Sequence, residues 1–447
     1  MSDAERRRAE RMVGWARLWA RAKQIVTTDP SASGDDDLVI DEEAAKVLAA
    51  QAGRLKGGLA KVAQLAAYHP AAALGGNLRR DGAPAQTRAK QVLGGLWDHA
   101  PAMSSSAIAK VIEQDLGASP QSLFARWDPA PLAAASIGQV HAASLADGTD
   151  VVVKVQYPGV ADALRADLDD DEFVRKLAGA QVGTSIDRAA LTALGDAVRG
   201  ELDYRAEAAI MTRFADAWRD HRVLRFPRPI AELSSTRVLT MTRARGNTVV
   251  DTASSGHADL RRQAALAIYE VAWGSPLAHG LLNADPNPGN FLVEPQADGS
   301  IQVWCLDFGC AFALPEDVRD ADREIAWGLL HDDSAAGTER FRLGLHAAGL
   351  LQRADSLSST AHRDWERALA APYATHGDFH WSPAYADELA DATSRVLAQG
   401  GLALSAKLLL LWRQRLGLSA VLGMLDARAP FRRVLVDLIG TGRKALR

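Results

Sequence analysis

The spacing of apolar residues changes along this chain and divides it into three regions. Up to residue 120, apolar residues recur at helical spacing, apart from a polar stretch at 27–37 that we expect to be a loop. Between 121 and 245, short β-branched runs bounded by turn residues predict strands. Helical spacing predominates again towards the C-terminus. We therefore predict an α+β protein with a helical N-terminal extension (1–120), a sheet-containing region (121–245) and a largely helical region (246–447).

The strongest chemical signal is a loop, strand, turn and strand at residues 281–309. Asp285 and Asn290 lie five positions apart on a loop stiffened by proline and glycine, and Asp307-Phe308-Gly309 follows the second strand. In protein kinases an aspartate on such a loop orients and deprotonates the attacking hydroxyl, while an asparagine and a second aspartate hold Mg²⁺ on the nucleotide phosphates. The pattern predicts an enzyme that binds ATP and Mg²⁺, with Asp285 as base and with Asn290 and Asp307 as metal ligands. A structural hairpin with solvated acids is the alternative.

A predicted hairpin upstream supplies the lysine that such a site needs. An Asp-Gly turn joins two β-branched runs, and Lys154 lies on the second run. In a kinase this lysine pairs with the α- and β-phosphates and is held by a glutamate on a helix. The helix predicted over residues 187–219 offers Glu201, Asp203 and Glu207, although each of them could also be a solvated helix charge.

Composition excludes several classes of protein. The chain has 447 residues, of which 48% are hydrophobic and 24% charged, as in an ordinary globular protein. Its net charge of −4 gives no sign of nucleic-acid binding, so we expect no nucleic-acid partner. The two cysteines, Cys305 and Cys310, cannot form a disulfide framework, and we expect both to be small buried side chains in a reducing compartment.

Targeting signals are weak. No segment has the apolar core of a signal peptide, and the most apolar region, residues 397–425, is interrupted by Lys407, Arg413 and Arg415. We therefore expect a soluble, cytoplasmic protein. The basic amphipathic segment 5–26 carries tryptophans on its apolar face and could hold the protein at the inner face of the membrane, or could pack against the rest of the chain.

Five segments resemble the UbiB/AarF family of atypical kinases, which is tied to ubiquinone biosynthesis in bacteria and mitochondria. They are Ala-Ala-Ala-Ser-Ile-Gly-Gln-Val-His at 133–141, Val-Lys-Val-Gln-Tyr-Pro-Gly-Val at 153–160, Glu-Leu-Asp-Tyr-Arg-Ala-Glu-Ala at 201–208, Ala-Asp-Pro-Asn-Pro-Gly-Asn at 284–290 and Leu-Asp-Phe-Gly at 306–309. The alanine run with its Ser-Ile-Gly-Gln is highly specific to this family. The resemblance covers roughly residues 50–430. It implies a protein-kinase-like two-lobe fold, with the second predicted region as N-lobe and the third as helical C-lobe.

The resemblance also implies roles for individual residues. The implied nucleotide-binding residues are Ala134, Ala135, Ser136, Ile137, Gly138 and Gln139 in an alanine-rich loop, Lys154, and Met241 on the strand before the hinge between the lobes. Glu207 is implied as the partner of Lys154, and Glu201 and Asp203 as a regulatory acidic pair. Lys61 and Gln64 match a Lys-x-Gly-Gln signature that, in the family, folds over the active site and occludes a peptide substrate.

The chain departs from the family pattern at three positions. The glycine of the signature is Ala63, and two histidines of the loop motif are Asn283 and Asn287. Asn283 can still hydrogen-bond to the backbone as a structural histidine would. The resemblance implies an enzyme that binds Mg-ATP and transfers or hydrolyses the γ-phosphoryl group, acting on or for a lipid or phenolic small molecule of isoprenoid or quinone type. The alternative is a pseudokinase that serves as an ATP-gated binding or chaperone-like module for lipid intermediates.

Overall fold

The computed structural model describes residues 26–28, 38–40, 103–135, 137–168, 195–196, 199–331, 335–351, 360–398 and 406–444. All but the last residue of the amphipathic segment 5–26 and most of the rest of the predicted helical extension lie outside these ranges. Strand β1 (Val26–Thr28) pairs antiparallel with β2 (Leu38–Ile40), so strand residues occupy the start of the stretch predicted as a loop.

A four-stranded antiparallel sheet forms the first part of the fold. Its strands, in spatial order, are β3 (Arg126–Ala135), β4 (Gly138–Ser144), β5 (Asp150–Gln156) and β7 (Val238–Thr242). Strand β5 is rich in valine and buried along most of its length, which suits its position inside the sheet. The predicted Asp-Gly turn joins β4 to β5, and Gly148 has a φ of 87°, which glycine adopts without strain.

The strand register decides which side chains share a face of this sheet. Lys154 lies opposite Val140 on β4 and Leu239 on β7, so these three side chains lie on one face. Gln139 and Val155 pair one position away, so their side chains lie on the opposite face. The face that carries Lys154 is the one that meets Glu207.

Short helices surround this sheet. They are α1 (Ser105–Leu116), α2 (Pro120–Leu123), α3 (Val160–Leu168) and α4 (Tyr204–Ala217). Helix α1 buries Ile108, Val111 and Ile112 and packs beside β5 and β7. Strand β7 follows a single 3₁₀ turn at Ala231–Leu233.

The helix predicted over 187–219 is interrupted at residues 201–203, since residues 195–196 and 199–200 are helical and α4 follows the break. The apolar spacing predicted one helix over 187–219 that would carry Glu201 and Asp203. In the structure α4 begins at Tyr204, because the Asp203 side chain caps it by accepting a hydrogen bond of 2.9 Å from Arg205 N. Glu201 therefore lies in the turn before the helix, and only Glu207 lies on it.

A second sheet carries the predicted hairpin. Its strands, in spatial order, are β6 (Leu224–Arg225), β11 (Ile301–Cys305), β10 (Phe291–Pro295) and β8 (Asn247–Thr248). Strand β9 (Leu281–Asn283) pairs separately with β12 (Ala311–Ala313), and a 3₁₀ turn (Pro288–Asn290) precedes β10. Leu306 N donates to Asn290 O at 3.0 Å. The hairpin therefore brings Asn290 and Asp307, which lie at its two ends, to the same edge.

Helices make up most of the remaining chain. They are α5 (Val249–Ser254), α6 (Ala258–Gly274), a π-helical turn (Ser275–His279), α7 (Glu316–Leu330), α8 (Ala335–Ala347), α9 (Thr360–Ala374), α10 (Pro383–Ala398), α11 (Ala406–Leu425) and α12 (Phe431–Lys444). A short ladder of β13 (Phe379–Trp381) with β14 (Ala427–Ala429) lies among them. Helix α11 packs against α5, α6 and α10. Among the described helices, none combines the length and the apolar character that crossing a bilayer requires.

Candidate active site

Lys154 contacts two acids from distant parts of the chain. Its Nζ lies 2.9 Å from Glu207 Oε1, 3.1 Å from Glu207 Oε2 and 3.5 Å from Asp307 Oδ2. Glu207 lies in the first turns of α4, and Asp307 follows β11. Of the three acids that the sequence left open, Glu207 is the one that bonds this lysine. Strand β5, helix α4 and the Asp-Phe-Gly segment thus converge on one ammonium group.

The buried lysine stays charged. Only 8% of its side chain is exposed, and burial alone would lower the pKa of Lys154. The negative charges of Asp307 and Glu207 outweigh burial, so the pKa of Lys154 lies well above its ordinary value. The Tyr204 ring, with its centroid 5.1 Å from Nζ, adds a cation–π contact. Glu207 also accepts a hydrogen bond of 3.4 Å from Phe308 N, which ties the Asp-Phe-Gly segment to α4.

Both carboxylate oxygens of Asp285 are hydrogen-bonded. Asn290 Nδ2 donates to Oδ2 at 3.0 Å, and Arg413 Nη2 of helix α11 donates to Oδ1 at 3.0 Å. The side chains of Arg413 and Asp285 are only 3% and 9% exposed. Sequence reasoning missed Arg413 as a site residue. The available signal was a charge inside an apolar stretch, because a buried cation needs a partner.

The two asparagines that replace family histidines both make local hydrogen bonds. Asn283 Nδ2 donates to Asp307 O at 2.7 Å, and Asn283 Oδ1 accepts from Asp285 N at 3.1 Å. Asn287 Oδ1 accepts from Gly289 N at 2.8 Å and caps the 3₁₀ turn. Asn283 therefore links the 284–290 loop to the Asp-Phe-Gly segment. Hydrogen bonding of Asn283 to the backbone is what the sequence led us to expect.

The oxygen atoms at Asn290 and Asp307 suit a hard divalent cation. Asn290 uses its Nδ2 donor on Asp285, so its amide oxygen is the atom that it can offer to a metal. Asp307 Oδ1 accepts from Gly309 N at 2.9 Å, and 35% of the Asp307 side chain is exposed. Mg²⁺ prefers such oxygens and is often held by one or two carboxylates together with substrate phosphates and water. Within the described ranges, no set of three or more His, Cys, Asp or Glu side chains is grouped to hold a metal without such help.

The alanines of the implied nucleotide loop belong to a strand. Ala134 and Ala135 continue β3 and pair with the start of β4, so the connection between the two strands is Ser136 and Ile137 alone. Ile137 is buried in the core, with 2% of its surface exposed. Ser136 lies outside the described residues.

Two further residues of this loop have structural contacts. A Cβ at Gly138 would lie 2.2 Å from Val155 O, so the close approach of β4 to β5 requires glycine. The Gln139 side chain is 1% exposed and bonds His141 Nε2 at 2.9 Å. Its side chain lies on the sheet face opposite Lys154. The assignment of Gln139 to the nucleotide-binding residues stays a prediction.

Met241 lies on the same sheet face as Lys154. It pairs with Val152, which is two positions before Lys154 on β5, and only 8% of its surface is exposed. The row of apolar side chains next to the lysine could cover a flat adenine ring. Strand β7 ends at Thr242, and the chain then leads into the second sheet.

The implied acidic pair separates in the structure. Glu201 is 5% exposed and accepts a hydrogen bond of 2.8 Å from Cys310 Sγ, directly after the Asp-Phe-Gly segment. Asp203 instead caps α4. Lys61 and Gln64 of the Lys-x-Gly-Gln signature lie outside the described residues. Both cysteines are buried, as predicted.

Three features together define a protein-kinase-like fold. They are a small antiparallel sheet joined to a helix by a lysine–glutamate pair, a loop with Asp285 and Asn290, and an Asp-Phe-Gly segment. The sequence profile described as "ABC1 atypical kinase-like domain" matches residues 95–340, more than half of the 447-residue chain. The chain belongs to this family of atypical kinases, and the resemblance found in the sequence is confirmed.

Two curated relatives illustrate the similarity. The chain is 32% identical over 281 residues to the mitochondrial atypical kinase COQ8B of Rattus norvegicus, which covers 60% of this chain and 50% of the relative. It is 31% identical over 245 residues to the chloroplastic protein ACTIVITY OF BC1 COMPLEX KINASE 8 of Arabidopsis thaliana, which covers 53% of this chain and 32% of the relative. The chain thus spans half or less of the length of these relatives.

A solved structure shares the overall arrangement. The Mycobacterium tuberculosis protein Rv3197, solved in complex with erythromycin, superposes with a TM-score of 0.58 at 27% identity, covering 89% of this chain and 96% of that one. The likeness extends over the helical half as well as the sheets.

The cytoplasmic location expected from the sequence is wrong. The rat relative is named as mitochondrial and the Arabidopsis relative as chloroplastic, and these names overturn the prediction. The prediction failed because an apolar signal peptide is a signal for secretion, and the lack of one says nothing about import into an organelle. Segments that direct proteins to organelles are amphipathic and arginine-rich, so that criterion could not separate a cytoplasmic from an organellar protein.

Proposed function

We propose that this chain is an atypical kinase or ATPase that binds Mg-ATP between the sheet face of Lys154 and the 284–290 loop. The observation that carries the proposal is the position of Lys154 Nζ, within bonding distance of both Glu207 and Asp307. A kinase requires this lysine–glutamate pair and the Asp-Phe-Gly aspartate to be in place together. The presence of both in one cluster supports a site arranged for nucleotide.

Each polar residue of the cluster has a role in this proposal. Lys154 pairs with the α- and β-phosphates, and Asn290 and Asp307 hold Mg²⁺ through their side-chain oxygens. The metal, when bound, neutralises phosphate charge. Asp285 orients the attacking hydroxyl or water, and its buried carboxylate is held in place by hydrogen bonds on both oxygens. Met241 and the apolar side chains of its row cover the base.

For the acceptor, we propose a lipid or phenolic small molecule rather than a protein. The support is the family membership and the similarity to COQ8 kinases, whose family is tied to quinone metabolism. The protein should then turn over ATP without phosphorylating a general substrate such as myelin basic protein. A screen of lipids and phenolic metabolites for stimulation of ATP turnover tests the acceptor class. Robust phosphorylation of the general substrate, with no stimulation by any small molecule, contradicts it.

Release of radiolabelled phosphate from ATP tests the enzymatic proposal. Steady turnover by the wild type, abolished in Asp285→Asn but retained in Asp298→Asn, supports an enzyme. Asp298 is a suitable control because it lies in the exposed turn of the same hairpin and hydrogen-bonds Ser300 in that turn. Mg-dependent nucleotide binding without turnover would instead support the pseudokinase alternative.

A further inference from the structure

Helix α11 brings a charged side chain into the interior. Arg413 lies in a stretch rich in leucine, and its side chain is 3% exposed. A buried guanidinium is tolerated only where acceptors compensate for the loss of water. Burial lowers the pKa of Arg413, but the negative charge of Asp285 and the hydrogen bond to Cys310 outweigh burial. The pKa therefore lies above its ordinary value, and the group is a permanent cation.

The main acceptor is Asp285. Arg413 Nη2 donates to Oδ1 at 3.0 Å, while Asn290 Nδ2 donates to Oδ2 at 3.0 Å. One donor on each oxygen prevents the carboxylate from rotating about its χ2 bond, a torsion that is otherwise broad. Asn290 lies five residues along the same loop, so Arg413 is the one residue in the described part of the chain that ties this carboxylate to a separate element.

The helix also contacts the loop through its backbone surface. A Cβ at Gly417 would lie 2.0 Å from Pro286 Cγ, so any larger residue would push the helix away. Gly417 lies four residues after Arg413, on the same side of α11. The glycine therefore sets the short distance across which Arg413 reaches Asp285.

Arg413 has a second neighbour beside the Asp-Phe-Gly segment. Its Nη1 lies 4.0 Å from Cys310 Sγ, and that thiol donates to Glu201 Oε1 at 2.8 Å. One guanidinium thus lies between the 284–290 loop and the residue that follows Gly309. The planar guanidinium can contact Asp285 and Cys310 at the same time, which the single ammonium group of a lysine cannot.

We propose that Arg413 is a positioning residue for the phosphoryl-transfer step, fixing the Asp285 carboxylate in the orientation from which it aligns the attacking oxygen. The proposal deepens the proposed function and rests on it. Arg413 acts through Asp285 and touches neither nucleotide nor metal ligand. Its loss should therefore lower the rate of the chemical step while nucleotide binding persists.

The test compares three variants in the full-length protein. Arg413→Met should lower kcat for ATP turnover about 100-fold, the effect of a misplacement of about 1 Å, with KM and the Mg-ADP thermal shift little changed. Arg413→Lys, which keeps the charge, should recover part of the loss. The control is Arg415→Met on the same helix. The Arg415 side chain is 9% exposed, bonds Asp322 at 2.9 Å, and has its Cζ 3.5 Å from the centroid of the Trp273 ring. This control should lower thermal stability and leave kcat per folded molecule unchanged.

A double variant separates positioning from a general structural role. In Asp285→Glu, which keeps a carboxylate but displaces it, adding Arg413→Met should lower kcat by much less than the loss of about 100-fold expected in the wild type, because the arginine acts through the native position of that carboxylate. A full further loss of about 100-fold overturns the proposal, and so does an Arg413→Met protein with wild-type kcat or one whose loss matches that of Arg415→Met. If Arg413→Met does not fold, Arg413→Lys carries the same comparison. Absence of turnover in the wild type overturns the proposed function itself, whereas normal turnover in Arg413→Met overturns the positioning role alone.

Discussion

Asn283 donates a hydrogen bond of 2.7 Å from Nδ2 to the backbone oxygen of Asp307. Its Oδ1 accepts from Asp285 N at 3.1 Å, so one side chain sets the spacing between the proposed base and the proposed metal ligand. The family has a histidine at this position, and the asparagine supplies the same combination of donor and acceptor. The substitution therefore keeps a side chain that links the two segments.

Replacement of Asn283 tests this. Asn283→Ala should lower the free energy of unfolding by about 1–3 kcal/mol, since a partly buried carbonyl and N–H lose their partners, and should lower ATP turnover. Asn283→His should stay within a few-fold of the wild type. Asn287→Ala is the control, because its bond to Gly289 N is exposed. Chemical denaturation and phosphate release measure both effects, and equal losses in the two alanine variants would contradict the role of Asn283.

Asp307→Asn should remove most Mg-nucleotide affinity. A neutral amide cannot balance a divalent cation beside phosphates, and the thermal stabilisation by Mg-ADP depends on affinity for the folded state. For example, a ligand present at about 100 times its Kd stabilises by about 2.7 kcal/mol, and this gain should largely vanish. Asp298→Asn, in the turn of the same hairpin, should keep the full shift. An unchanged Mg-ADP thermal shift in Asp307→Asn would contradict the assignment of Asp307 as a metal ligand.

Sequence could predict the site residues that local spacing connects. Asp285, Asn290 and Asp307 lie on one loop and hairpin, and a hairpin brings its two ends together by its geometry. Arg413 lies 128 residues from Asp285, and only the packing of α11 on the 284–290 loop brings them together. Periodicity shows that a helix is apolar, but it does not show which loop the helix will meet.

The start of α4 also could not be predicted from helical spacing, although the residues that decide it are close in sequence. Helical spacing continues through Glu201, yet the helix begins at Tyr204 because the Asp203 side chain satisfies a free backbone N–H there. The face of the sheet on which Gln139 lies depends on strand register, and a shift of one residue would reverse it. Motif position alone could not decide that register.

Glu207→Gln should weaken nucleotide binding as well as stability. Lys154 would lose its nearest anion and be drawn towards Asp307, 3.5 Å away, which the metal also needs. We expect a loss of about 1–3 kcal/mol in unfolding free energy, because a charge-assisted bond is replaced by a neutral one, and a smaller Mg-ADP thermal shift. Glu232→Gln, on an exposed 3₁₀ turn, is the control. Wild-type shifts in both variants would show that the pair is dispensable for nucleotide binding.

Asp115 connects α1 to the start of strand β7. Its Oδ1 accepts from Arg237 Nε at 3.0 Å, and its Oδ2 accepts from Ser235 Oγ at 2.6 Å. Burial raises the pKa of Asp115, but the hydrogen bonds and charge of Arg237 and the bond from Ser235 outweigh it. The net pKa lies below the ordinary value of 3.8. The contact holds the helix that leads into the first sheet.

This depressed pKa fixes the pH dependence of the contact. A carboxyl with a lower pKa in the folded than in the unfolded protein adds stability above the unfolded value, and that stability is lost as pH falls through the folded value. Asp115→Asn should therefore cost about 1–2 kcal/mol at pH 7, and its difference from the wild type should shrink only below about pH 4. Glu113→Gln, on the exposed side of the same helix, should show neither effect. Urea unfolding from pH 7 to pH 3 measures the difference in unfolding free energy between Asp115→Asn and the wild type. A difference that stays constant over this range would show that the charge of Asp115 does not stabilise the contact.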